Sequence, residues 1–190
     1  MATGPISVIS SMAIVVMIMR SRIQLSNSYH RLIFGISLTD IMLSSGLSFS
    51  SLPAPIGTPG TWKSLGNQST CNAQGFFIMF GTLATPAYFL SLQIYYLCKI
   101  KYHTNSEKME KLEVCLHVVP ILLGLTGSII PLVTDSMNPG SRGYYWLPDF
   151  PLHCSENRNV ECTRGIYFMP QHYVYLVTGI LYITITFVTM

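Results

Sequence analysis

Asp40 is the one acidic or basic residue well inside any of the long apolar runs of this 190-residue chain, in the stretch LIFGISLTDIMLSSGLSFSSLPAP. A carboxylate at the centre of a bilayer costs about 2.5 to 3.5 kcal/mol on insertion scales, so it should face other helices and find polar partners there. Thr85 is the candidate partner by depth. Asp40 lies about 14 Å in from the basic edge at Arg31, and Thr85 about 21 Å below Cys71, which places both near mid-bilayer once the interfacial layer is subtracted. Such a pair can serve as a polar or cation site that differs between conformations. The competing reading is an aspartate satisfied by Ser37, Ser44 or Thr85, with no ligand.

Other chemistry is sparse. No HExxH, P-loop, GxSxG or paired catalytic carboxylates occur, so an enzyme is not expected. The five cysteines match no zinc spacing, and His117 and His172 sit at the ends of runs, so neither a metal nor a cofactor is expected. The net charge of +3 comes from eleven Lys and Arg scattered through links, without the basic, aromatic-interleaved stripe of a nucleic-acid binder.

These residues need elements to hold them, and the composition names the elements. The chain is 49% hydrophobic and only 10% charged, against about 25% charged for an average soluble domain. The expected fold is an all-α, polytopic transmembrane helix bundle forming one domain over residues 1–190. Its spans are expected near 5–19, 32–53, 72–98, 114–134 and 170–190. The third anchors the rest: no charge interrupts it from Asn72 to Cys98, and its length of about 40 Å exceeds the hydrocarbon core. The first run is short for a span, but it lacks the basic start and the small-residue cleavage site of a signal peptide. Pro53 and Pro55 are expected to end the second. The glycines and most aromatics of the spans read as close packing and interfacial anchors. The last run reaches Met190 with no basic stop, and reads as interrupted.

The links set the orientation. Those after spans one and three (20–31 and 99–113) hold Arg20, Arg22, Arg31, Lys99, Lys101, Lys108 and Lys111, whereas the loops at 54–71 and 135–169 hold Lys63, Arg142, Arg158 and Arg164. The positive-inside rule places the first set in the cytoplasm and the N-terminus outside. Two marks agree with that. The sequon at Asn67, a glycosylation acceptor, and the cysteines Cys71, Cys154 and Cys162 then face the oxidising side. Those three allow three single bridges, and spacing alone does not choose among them.

Several short segments carry a resemblance. A cysteine opening the third span and a cysteine-bearing loop before the fifth resemble the front part of a seven-transmembrane G-protein-coupled receptor. Cys71-Asn72-Ala73-Gln74-Gly75-Phe76 is similar to the Cys-x-x-Gln-Gly-Phe entry of the cyclic-AMP-receptor-like branch. Tyr29-His30-Arg31-Leu32 leading to Ser37-Leu38-Thr39-Asp40 resembles that branch's second helix, with a weaker similarity to rhodopsin-like receptors, and Cys162-Thr163-Arg164-Gly165 resembles its second outer loop. The chain departs in two places. Tyr95-Tyr96-Leu97 stands where rhodopsin-like receptors have Asp-Arg-Tyr, and Tyr145-Trp146 stands where the branch often has Cys-Trp. The second departure puts a local Cys154 to Cys162 bridge on a par with a staple to Cys71.

The resemblance implies a receptor in the plasma membrane that senses an extracellular ligand and signals by helix rearrangement at its cytoplasmic face. The pocket would lie between the outer halves of spans two, three and five, under the loop bearing Tyr144, Tyr145 and Trp146. Lys99 and Lys101 would meet a heterotrimeric G protein, or would serve only as a positive-inside anchor in the lipid. The alternative is a non-signalling five-span membrane protein or a small transporter, although no repeated halves and no second intramembrane charge accompany Asp40.

Overall fold

The computed structural model describes residues 3–58, 61, 63–101, 103, 106–139, 145–146, 161, 163–164 and 170–189. Five α-helices account for most of them: α1 (Thr3–Arg20), α2 (Ser28–Ser48), α3 (Gln68–Tyr96), α4 (Ser106–Val133) and α5 (Pro170–Thr189). Three helical stretches, Thr3–Arg20, Gln68–Lys101 and Glu107–Val133, are long and apolar enough to cross a membrane. Two short strands, β1 (Asn138–Pro139) and β2 (Tyr145–Trp146), pair antiparallel.

Local chemistry explains where the helices begin and end. The Asn27 side chain accepts the Tyr29 amide and starts α2. That helix stops at Ser48, five residues before the proline expected to end it. The chain turns through Ser50 in the left-handed region (φ 47°), and Pro53 and Pro55 lie already in the loop. A reciprocal capping box opens α3: Asn67 accepts the Thr70 amide at 3.0 Å and Thr70 Oγ1 accepts the Asn67 amide at 2.8 Å. At its far end α3 widens into a π-helical turn, Leu97–Lys101.

Helix α4 departs furthest from expectation. It begins at Ser106, eight residues before the expected start, so most of the link at 99–113 is helical. The segment SEKMEKLE is an amphipathic helix rather than a loop. Glu107 favours the first turn by its charge, Lys111 pairs with it at 3.2 Å, and Met109, Glu113 and Leu116 fall on one buried face.

Helix α3 is the hub, packing against α2, α4 and α5, while α1 packs on α2. Close approaches set the directions. A Cβ at Gly4 would meet Ser48, one at Gly81 would meet Leu43 at 2.5 Å, and one at Gly124 would meet Phe80 and Ala84. Consecutive helices among α1 to α4 therefore run antiparallel. One end of the bundle gathers Arg20, Ser28, Leu97–Lys101 and Ser106; the other gathers Ser48, Gln68 and Val133. Two buried clusters fill the interior, Leu32, Ile36, Tyr88, Leu92, Tyr95, Met109 and Leu116 toward the first end, and Cys71, Ile78, Met79, Leu83 and Met137 toward the second.

Candidate functional site

Asp40 is half-buried between α2 and α1. Ser7 and Ser11 of α1 donate their hydroxyls to its Oδ2 at 2.9 and 2.6 Å, and Ser44, one turn along α2, donates to Oδ1 at 3.4 Å. The two bonds from α1 make Asp40 a clasp between α1 and α2. Neither Ser37 nor Thr85 reaches it. Thr85 is 8% exposed on α3, and its hydroxyl is buried without a hydrogen-bond partner, ahead of Pro86. Depth matching placed the two residues at similar heights, but a helix also has a facing direction, and α1 was the nearer source of hydroxyls.

A second polar assembly ties α2 to α4 at the basic end. The Arg31 guanidinium grips Glu113 with two donors: Nε bonds Oε1, and Nη2 bonds Oε2 at 2.7 Å. Arg31 Nη1 also donates to the Leu25 carbonyl at 2.6 Å, and Ser28 Oγ donates to Glu113 Oε2 at 2.7 Å. The hydrogen bond to Glu113 raises the Arg31 guanidinium above its usual value, burial works against this, and the charge of Glu113 adds to it. His117 extends the assembly inward. Its Nε2 lies 3.7 Å from Glu113 Oε1, its Nδ1 lies 3.4 Å from the Tyr88 hydroxyl, and the two rings meet edge to face. Tyr88 in turn lies over Gly35, where a Cβ would come within 2.7 Å of the ring.

At the opposite end, Asp135 leaves α4 in the left-handed region (φ 53°) and pairs with Arg164 at 2.9 Å. Arg164 also donates to Asn138 Oδ1 at 2.9 Å. Gln68 donates to the Met137 carbonyl at 2.8 Å, which holds the start of β1 over the top of α3. Cys71 is fully buried beneath it with a free thiol, and no disulfide occurs among the described residues. Cys154, Cys162 and Tyr144 lie outside them. Tyr145 and Trp146 form β2, paired through backbone to Pro139 and Asn138. Asn67 is exposed and committed as the helix cap through its carbonyl oxygen. Lys99 and Lys101 stand exposed on the π-helical turn.

The loop expected to roof a pocket between spans two, three and five lies mostly outside the described residues. The described residues at this end line a cavity of about 410 Å³, bounded by the 55–58 turn, Gly66–Gln68 and Pro139, and another of about 400 Å³ between α3 and Leu132. No group of His, Cys, Asp and Glu suited to a metal occurs among the described residues. Neither a family description nor a curated protein matches this chain.

Proposed function

We propose that the chain is an integral membrane protein of the G-protein-coupled-receptor type, contributing five of the seven spans of that class, with the N-terminus outside and the plasma membrane as its site. In this reading it senses an extracellular ligand and passes the event on by helix rearrangement at the cytoplasmic face. The observation that carries the reading is the clasp at Asp40. An ionisable side chain inside an apolar bundle is retained against its insertion cost, and it joins two helices through hydroxyls that can exchange partners. The Arg31 to Glu113 tie supplies a second breakable joint at the end where Lys99 and Lys101 would meet a G protein. A ligand that favoured one arrangement of these joints would shift the population toward it. Asn67 would carry a glycan on the outer side.

The test is nucleotide exchange by heterotrimeric G proteins in proteoliposomes containing the protein, with Asp40→Asn beside the parent. The expected outcome is exchange above the protein-free level, altered several-fold by Asp40→Asn while membrane insertion is unchanged. Exchange at the protein-free level for both would overturn the receptor reading and leave the non-signalling membrane protein in its place.

A further inference from the structure

Helices α1 and α2 part at the basic end and leave a groove of about 240 Å³, lined by Ile14, Met17, Ile18 and Ser21 of α1 and the following turn, and by Tyr29, His30 and Ile33 of α2. Its composition is graded along its length. Ile14 lies about 10 Å from Ser21 along the helix, so the deep part is aliphatic and the mouth is polar. His30 Nδ1 contacts the Gln24 carbonyl at 2.7 Å, and because a carbonyl only accepts, this nitrogen carries the proton. Nε2 remains as the ring's other polar atom. Arg20 and Arg22 flank Ser21 in the chain, both exposed, and neither forms an ion pair among the described residues.

We propose that this groove binds one phospholipid of the adjoining leaflet with an anionic headgroup, an acyl chain against Ile14, Met17 and Ile33 and the phosphate toward Arg20, Arg22 and His30. The inference rests on the reading of the chain as a membrane protein. Size and charge choose this occupant. A helix from a second copy, about 10 Å across, is too wide to enter a groove of this volume and would rest across its rim. An acyl chain is far thinner. A zwitterionic lipid brings no net charge to offset the two exposed arginines that flank Ser21 in the chain, whereas basic side chains at a membrane face attract net-anionic headgroups by about 1 kcal/mol each.

The experiment weighs the purified full chain by native mass spectrometry after equilibration with equal amounts of phosphatidylcholine and phosphatidylserine. One retained phosphatidylserine is expected, favoured up to roughly thirtyfold, the scale that two basic side chains supply. Arg20→Gln with Arg22→Gln should bring that preference to about one. Met17→Trp, which fills the groove from an exposed position, should abolish retention, and Ile14→Trp provides a second filling variant. Val119→Trp, on an exposed face of α4, should change nothing. The proposal is overturned by equal retention of the two lipids, by a preference that survives loss of both arginines, by displacement with inorganic phosphate alone, or by a dimer that Met17→Trp dissolves. Alkaline carbonate extraction separates the two readings. Release of the parent chain from membranes would defeat the membrane reading, whereas an embedded chain with no preference defeats the lipid site alone.

Discussion

Ser7 and Ser11 lie four residues apart in α1, so they share one face, and that face is where Asp40 arrives. The 3.6-residue period of the N-terminal run contained this signal, but nothing in the run says which neighbour the serines meet. Asp40 itself was legible, because a carboxylate in an apolar stretch announces a polar contact whatever the fold. Depth alone pairs Asp40 with Thr85, but the Thr85 hydroxyl bonds nothing among the described residues, since two residues at one height meet only if their helices turn toward each other. Replacing Ser7 and Ser11 together with Ala should loosen α1 from α2. Interhelical hydrogen bonds in membranes are worth about 0.6 to 2 kcal/mol each. Unfolding in mixed micelles should show a loss of that order, and Asp40→Leu in the double variant should cost little more, because the carboxylate would by then have lost most of its partners. A full additional loss would show that Asp40 is held by other groups.

At the scale of the element, α2 and α3 approach so closely that side chains have no room at the crossing. A Cβ at Gly81 would sit 2.5 Å from Leu43 Cβ and 2.9 Å from its backbone, and one at Gly46 would sit 2.6 Å from Ile78. Small residues permit such crossings, and backbone cannot retreat as a flexible side chain can. Gly81→Leu should therefore destabilise the bundle by roughly 1 to 3 kcal/mol or push α2 outward, read as faster hydrogen exchange at Leu43 and its neighbours. Exchange unchanged from the parent would mean that the crossing is looser than drawn. The span glycines were legible as close-packing residues, but their partners were not, because pairing is a property of two helices. The early start of α4 was legible in principle too. Met109, Glu113 and Leu116 follow helical spacing, yet the mixed charges of the segment resemble a link. The partner of the buried Glu113 is Arg31, 82 residues away in the chain.

For the whole molecule, the antiparallel course of α1 to α4 brings Arg20, Arg22, Arg31, Lys99, Lys101, Lys108 and Lys111 toward one end, with Lys63 and Arg164 toward the other. The proposed orientation puts the richer end in the cytoplasm. In a chain freed of its native cysteines, Lys63→Cys should react with a membrane-impermeant maleimide on intact cells, and Lys108→Cys only after the cells are opened. The reverse pattern would invert the orientation and move the lipid groove to the outer leaflet. The sequence by itself determined the helical class, the long apolar stretches and the segregation of charge, because hydropathy and positive charge are sums over residues that hold whatever the neighbours are. Which hydroxyls clasp Asp40, which carboxylate Arg31 grips and where Cys71 is buried were decided only by the tertiary structure. Each is a meeting between distant segments, and it depends on the rotation and crossing of helices that no single stretch encodes.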